Sequence, residues 1–237
     1  MQHVELERLM AQIENKYAVE IAPLKIAGKT MRILQLTDFE QYIEDFVENS
    51  RAEAVELPYW AKIWEATLLL AYFLGKQPVI RGQRILEIGA GLGVAGIYAA
   101  LCGHDVTISD DNQEALLFAR ANALLNDCPQ VVVRKLDWRH PDLQDQFDVI
   151  IGAEVVYDRQ LYPDLVQFFC SILKPQGIIF LAKNAQLPTP TFFSELTRHF
   201  KFKQTVQTIS TDGDPQQIVL YAIRHKSGQP SRDLTES

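Results

Sequence analysis

The sequence is poor in the residues that build disulfide frameworks and metal centres. Its 237 residues include three cysteines, Cys102, Cys128 and Cys170, which are widely spaced and form no C-x-x-C pair. An odd number of scattered cysteines is typical of reduced thiols in a core rather than of disulfides or a zinc site. The five histidines show no metal-ligand spacing either. We therefore predict no metal site.

Long apolar runs and clusters of positive charge are also absent. No apolar run approaches the about 18 residues that a membrane span needs, and the N-terminus lacks the apolar core of a signal peptide. The net charge is −7 and the lysines and arginines do not cluster, which argues against a surface that follows nucleic-acid phosphates. The sequence therefore predicts a cytoplasmic protein that binds neither a membrane nor nucleic acid.

What the chain does have is apolar residues, which make up 47% of it and can build a substantial core. We expect an N-terminal extension over 1–56, a main domain over 57–225 and a polar tail over 226–237 that is disordered. Apolar spacing predicts a helix, a hairpin and a second helix in the extension. The second helix opens with a capping box at Thr37 and Glu40. The extension is either a lid or substrate platform, or a cover for the sheet edge.

A glycine-rich turn is the most informative stretch of the sequence. Residues 84–97 read RILEIGAGLGVAGI, a short apolar run followed by Gly89, Gly91 and Gly93 and then by a helix of small residues. Glycines let a tight turn form and a ligand lie on the backbone, while the helix start offers free N–H groups and a positive dipole end. This unit predicts a nucleotide-like cofactor, the alternative being a turn that only packs a helix on a sheet.

Two cofactors fit such a turn. Gly91, Gly93 and Gly96 match the G-x-G-x-x-G spacing of a dinucleotide site. Counted from Gly89, however, the sixth position is not a glycine, and an acid at Glu87 disfavours a pyrophosphate. A carboxylate there suits a cofactor with a cationic amino-acid end, which favours S-adenosyl-L-methionine.

Acidic residues follow the next two predicted strands. Asp110 lies about twenty residues beyond the first glycine, where a strand-tip carboxylate accepts ribose hydroxyls. Asp111 or Asn112 is then left to cap the following helix. Asp137 and Trp138 follow the third strand, at a position that faces adenine in this fold class. An exposed loop carboxylate is the alternative for Asp137.

Aromatic residues and a last acidic element complete the candidate site. Tyr59, Trp60 and Trp64 either line a pocket for a cation or pack in the core, and Trp64 is the one we favour for the pocket. The apolar run FDVIIG over 147–152 predicts a central strand buried on both faces, and it leads to Glu154 and Tyr157. Two late strands joined by a turn predict an antiparallel edge. For the chain as a whole we expect a doubly wound α/β fold.

Together these segments resemble the protein lysine methyltransferases of methyltransferase family 16, which use S-adenosyl-L-methionine and have a Rossmann-like, mostly parallel seven-stranded sheet with an antiparallel C-terminal strand. The resemblance covers about 57–221 and rests on LPYWAKIWEA, LEIGAGLGVAGI, VTISDD, KLDW and IIGAEVVYD. It implies that the cofactor is surrounded by Trp64, Glu87, Gly89, Gly91, Asp110, Asp137 and Trp138. The D-x-x-Y element of the family falls on Glu154 and Tyr157, with glutamate in place of the usual aspartate.

The resulting hypothesis is methyl transfer from S-adenosyl-L-methionine to a nitrogen nucleophile, most simply a protein lysine, with S-adenosyl-L-homocysteine as product. Glu154 would hold the acceptor amine and Tyr157 would shape its pocket. A small-molecule acceptor, a nicotinamide-dependent oxidoreductase and an inactive cofactor-binding module remain open alternatives. The sequence does not specify the acceptor, the number of methyl groups added or the oligomeric state.

Overall fold

The computed structural model describes residues 2–49, 57–143, 145–210 and 215–226. The predicted tail lies outside these residues apart from its first position, as do the predicted turn over 211–214 and the end of the N-terminal extension. In the described ranges, no helix is long and apolar enough to cross a bilayer.

The centre of the fold is a seven-stranded sheet with the strand order β5-β4-β3-β6-β7-β9-β8. Only β9 runs antiparallel to its neighbours β7 and β8, which confirms the predicted fold class. A dinucleotide-binding Rossmann sheet ends in parallel strands in the order 4-5-6, so the inserted antiparallel strand sets this topology apart. The strands are β3 (Arg84–Glu87), β4 (Asp105–Asp110), β5 (Val132–Lys135), β6 (Phe147–Ala153), β7 (Leu173–Asn184), β8 (Phe200–Ile209) and β9 (Gln216–His225).

Helices cover both faces of the sheet. One face carries α3 (Glu65–Leu74), α4 (Val94–Leu101) and α5 (Gln113–Leu125), and its core includes the fully buried Ile97 and Phe118. The other carries α6 (Tyr162–Ile172) and α7 (Pro190–Leu196), whose core includes Phe169 and Phe192. Burial on both faces explains why the central strands are continuous apolar runs.

The segment Lys174-Pro175-Gln176-Gly177, whose residues favour a turn, lies within β7, which begins at Leu173. The ladder between β6 and β7 jumps from Phe147 opposite Leu173 to Val149 opposite Ile178. The intervening residues therefore bulge out of an otherwise continuous strand, and local turn residues were outweighed by pairing on both sides.

The N-terminal extension consists of α1 (Gln2–Glu14), the hairpin β1 (Val19–Ile26) and β2 (Lys29–Leu36), and α2 (Phe39–Asn49). The predicted capping box is displaced by one residue. The Oδ1 atom of Asp38 accepts the N–H of Gln41 at 2.9 Å, so Asp38 rather than Thr37 caps α2.

The hairpin docks on helix α5, not on an edge of the large sheet. The side chain of Asn122 accepts the Leu34 N–H at 2.7 Å and donates to the Leu34 carbonyl at 3.2 Å. One turn later, Asn126 makes the same pair of bonds to the backbone of Arg32, at 2.9 and 2.7 Å. The two asparagine side chains, at positions i and i+4 of α5, therefore pair with the backbone of β2 as a neighbouring strand would.

Candidate active site

A cavity of about 1590 Å³ opens at the carboxyl edge of the sheet. This volume exceeds the roughly 300–1,000 Å³ that is usual for one small-molecule ligand, so two reactants can meet in it. Glu87 and Gly93 are absent from its wall, and the wall contains the remaining candidates from the sequence: Trp64, Gly89, Gly91, Asp110, Asp137, Trp138, Glu154 and Tyr157.

The glycine turn needs glycine for both conformation and space. Gly89, Gly91 and Gly93 have φ angles of 54°, 53° and 77°, in the left-handed region that side chains disfavour. A Cβ atom on Gly91 would lie 2.6 Å from the carbonyl oxygen of Trp60, and one on Gly89 would lie 2.8 Å from Val155 Cγ1. The turn therefore presents bare backbone to the cavity at positions 89 and 91.

Glu87 lies beneath this turn. Its side chain is 2% exposed, and its Oε2 atom accepts the N–H of Gly96 at 2.9 Å. Burial raises the pKa of Glu87 to about 8, with a smaller contribution from the Asp110 charge. A Cβ on Gly96 would collide with the Glu87 carboxyl and with Ile108. The last glycine of the dinucleotide-like spacing is thus explained by packing against Glu87.

Asp110 stands at the tip of β4 and connects the turn to α5. Its Oδ2 accepts the N–H of Gly91 and its Oδ1 accepts the N–H of Asn112, both at 2.9 Å. Burial raises the pKa of Asp110 to about 6, although these N–H donors favour its ionised form. The side chain of Asn112 caps α5 by accepting the N–H groups of Glu114 and Ala115. The capping role therefore belongs to Asn112, and Asp110 is left at the cavity.

Asp137 is paired with a residue that the sequence reasoning did not single out. Arg139 Nη2 lies 2.8 Å from Asp137 Oδ2, and hydrogen bonds from Arg139 hold the pKa of Asp137 below its usual value. Both residues line the cavity, as does the neighbouring Trp138. The sequence signal for this ion pair was the arginine two positions after the aspartate, because two such side chains can meet across a turn.

The aromatic segment divides between pocket and core. Trp64 lines the cavity, and its Nε1 donates to the Tyr59 carbonyl at 3.1 Å. Trp60 packs on Phe118 with ring centroids 5.3 Å apart, although its edge also reaches the cavity. Tyr59 is 49% exposed at the rim. Trp60 is therefore mainly a packing residue, while Trp64 and Tyr59 form wall and rim.

The N-terminal extension supplies part of the cavity wall, through Lys16, Tyr17, Tyr42 and Phe46. Tyr17 donates its hydroxyl hydrogen to Glu114 Oε2 at 3.0 Å, and Lys16 Nζ lies 2.6 Å from the other oxygen of that carboxylate. The rings of Tyr17 and Tyr42 meet edge to face at 5.8 Å. The extension therefore belongs to the site, which helical periodicity did not reveal.

Glu154 follows β6 in a strained conformation. Its φ is 53°, a left-handed value that costs a non-glycine residue about 1–3 kcal/mol and is concentrated at functional sites. Its backbone N–H bonds the Ala182 carbonyl at 2.9 Å, and its Oε1 accepts the Asn184 N–H at 2.7 Å. Burial raises the pKa of Glu154. Tyr157, 60% exposed, lies at the mouth of the cavity.

Comparison with known proteins shows the family to which the chain belongs. A family model described as lysine methyltransferase matches residues 51–199. The chain belongs to this lysine methyltransferase family. The resemblance inferred from the sequence motifs is thereby confirmed.

Named relatives of the chain agree with that result. It is 34% identical over 177 residues to the protein N-lysine methyltransferase METTL21A of Danio rerio, a match that covers 70% of this chain and 78% of that protein. It is 32% identical over 180 residues to the EEF1A lysine methyltransferase 3 of Mus musculus, covering 72% and 75% respectively.

Solved structures agree on the fold. The N-methyltransferase NodS of Bradyrhizobium japonicum, solved with S-adenosyl-L-homocysteine, matches with a TM-score of 0.55 and 17% identity over 79% of this chain and 98% of that one. At that identity the likeness concerns the architecture alone. The chain thus combines a seven-stranded, mostly parallel sheet with a hairpin-containing extension that borders its cavity.

Proposed function

We propose that this protein transfers a methyl group from S-adenosyl-L-methionine to the side-chain amine of a lysine in a protein substrate. Family membership and relatives named as protein lysine methyltransferases support the reaction. The structural observation that carries the proposal is the Glu154 carboxylate, which lines the same cavity as the bare backbone of the glycine turn. A cationic acceptor and a cofactor can therefore occupy one enclosure.

The residues around the turn fit S-adenosyl-L-methionine. Gly89 and Gly91 line the cavity, and Asp110, which already accepts the Gly91 N–H, would offer its remaining lone pairs to ribose hydroxyls. Trp138 and the Asp137–Arg139 pair would border the adenine, and Trp64 would face the sulfonium. When bound, the cofactor supplies a methyl group that its cationic sulfur already activates.

The protein's own task is then to orient the acceptor and favour its neutral amine. Glu154 Oε1 is engaged by the Asn184 N–H, so Oε2 is the atom that would receive a hydrogen bond from the acceptor nitrogen. A partly buried carboxylate whose pKa is raised accepts a proton more readily than an exposed one. Tyr157, at the cavity mouth, would limit the shape of the entering side chain.

The test is methylation of a desalted cell lysate with radioactive S-adenosyl-L-methionine. Wild-type protein is expected to label a protein band at lysine. Glu154→Ala should reduce the rate by about a hundredfold or more while cofactor affinity changes little, since orientation of the acceptor is lost. Glu14→Ala, at an exposed glutamate in α1, is the matched control.

Three outcomes would replace the proposal. Label found only after small molecules are returned to the lysate would indicate a small-molecule acceptor. Thermal stabilisation by NAD but not by S-adenosyl-L-homocysteine would indicate an oxidoreductase, because a ligand that binds the native state raises its stability. Cofactor binding without any labelled acceptor would indicate an interaction module.

A further inference from the structure

Lys183, the penultimate residue of β7, is a buried cation beside the acceptor side of the cavity. Its side chain is 3% exposed, and it is the only lysine or arginine that is buried among the residues the structure describes. Its Nζ atom donates to the Asn184 carbonyl at 2.8 Å and also to the Leu187 carbonyl. A buried ammonium is costly unless such bonds compensate it, so its presence calls for a reason.

The segment that Lys183 holds is part of the cavity wall, through Asn184, Gln186 and Leu187. Asn184 is bonded at every polar group. Its N–H bonds Glu154 at 2.7 Å, its side-chain amide donates to Gln216 at 2.9 Å, and its Oδ1 accepts the Gln186 N–H at 2.8 Å. Lys183 therefore donates to the backbone carbonyl of Asn184, while Glu154 accepts its backbone N–H.

The charges around Glu154 are unequal. Burial raises its pKa, the Asn184 N–H and the Lys183 ammonium oppose that rise, and the Glu65 carboxylate at the start of α3 adds to it. Burial lowers the pKa of Lys183, and the Glu154 charge raises it. Removing the ammonium would leave the half-buried Glu154 carboxylate with the negative charge of Glu65 and without the positive charge of Lys183 to oppose it.

We propose that Lys183 is a positioning residue for methyl transfer, which holds the 184–187 wall of the acceptor side and places a positive charge beside the Glu154 carboxylate. This inference rests on the acceptor role given above to Glu154. It assigns Lys183 no contact with either reactant. Its competitor is a purely structural role, in which the buried ammonium stabilises the loop without affecting the charge of Glu154.

The decisive experiment is an NMR titration of glutamate labelled with ¹³C at the side-chain carboxyl, with the Glu154 signal identified by its loss in Glu154→Gln. In Lys183→Met the Glu154 midpoint is expected to rise, because the positive charge that lowers it is removed. Lys203→Met, at an exposed position in β8, is the matched control and should leave the midpoint unchanged. An unchanged midpoint in folded Lys183→Met would overturn the proposal.

Kinetics provide a second readout. In Lys183→Met, kcat at neutral pH should fall by about ten- to a hundredfold, and the acid limb of its pH profile should move to higher pH. The KM for the cofactor should stay near the wild-type value, because Lys183 does not line the cofactor end. A purely structural role would lower the melting temperature without moving the acid limb.

A reciprocal measurement covers the case in which Lys183→Met fails to fold. With lysine labelled at Cε, the midpoint of Lys183 should fall in Glu154→Gln relative to wild type, since coupling between two charges is mutual. An unchanged Lys183 midpoint would refute the inference. These titrations need no acceptor, so failure of the proposed function, seen as no labelling by wild type, is distinguishable from failure of this inference.

Discussion

Substituting Gly91 by alanine tests whether the glycine turn is the cofactor platform. The left-handed φ of 53° costs an alanine about 1–2 kcal/mol. The added Cβ would also lie 2.6 Å from the Trp60 carbonyl oxygen. Ordinary contacts lie near 3.5 Å, so Trp60 must move by about 1 Å, and such overpacking costs about 1–3 kcal/mol more. The total expected loss in the free energy of unfolding is about 2–5 kcal/mol.

Gly28→Ala separates these two contributions. Gly28 also has a positive φ, 87°, but a Cβ there meets nothing within 4 Å. Gly28→Ala should therefore lose only about 1–2 kcal/mol in urea unfolding and should bind S-adenosyl-L-homocysteine normally. Gly91→Ala should lose more stability and weaken that binding at least about tenfold in calorimetry, or about 1.4 kcal/mol. Equal stability loss in the two variants, with unchanged binding, would refute the reasoning.

Two further predictions concern buried polar groups. Because the folded-state pKa of Glu87 is raised to about 8 from an ordinary 4.5, the free energy of unfolding should fall as pH rises between these values. Glu87→Gln can still accept the Gly96 N–H, and it should show a smaller fall than wild type in urea titrations at pH 5, 6.5 and 8, because Asp110 and Glu154, whose pKa values are also raised, remain. Parallel pH profiles of the two proteins would contradict the assignment. Asn122→Ala should lower the free energy of unfolding by about 3 kcal/mol, since it leaves the buried backbone N–H and carbonyl of Leu34 unpaired. Asn15→Ala, on the surface, should change it by less than about 0.5 kcal/mol, and a similarly small effect at Asn122 would show that the hairpin does not depend on α5.

The sheet was predictable because its signals are local. Apolar runs ending at Glu87, Asp110 and Gly152 are long enough to identify buried parallel strands, and the glycine turn can follow only one of them. The antiparallel end followed from two late strands separated by a short segment. The exact order, with β9 inserted between β7 and β8, required the structure, because strand order depends on contacts between residues far apart in the chain.

The candidate site was predictable in part for the same reason. Parallel strands bring their carboxyl ends to one edge, so Asp110, Asp137 and Glu154 were expected to meet, and all three line the cavity. The sequence did not reveal the depth of each side chain. Glu87 does not line the cavity, and its carboxylate accepts the Gly96 N–H instead. Whether a carboxylate faces a ligand or a backbone N–H depends on the helix that packs above it.

By itself the sequence determined the fold class, the position of the glycine turn and the family, because spacing and residue type along one segment are sufficient for each. Only the tertiary structure decided which groups act together. It brings the extension residues Tyr17 and Tyr42 to the cavity wall, and it connects Lys183 to Glu154 through the backbone of Asn184. Some of these contacts join segments that are more than a hundred residues apart in the chain. Their distances are set by packing, about which spacing along the sequence carries no information.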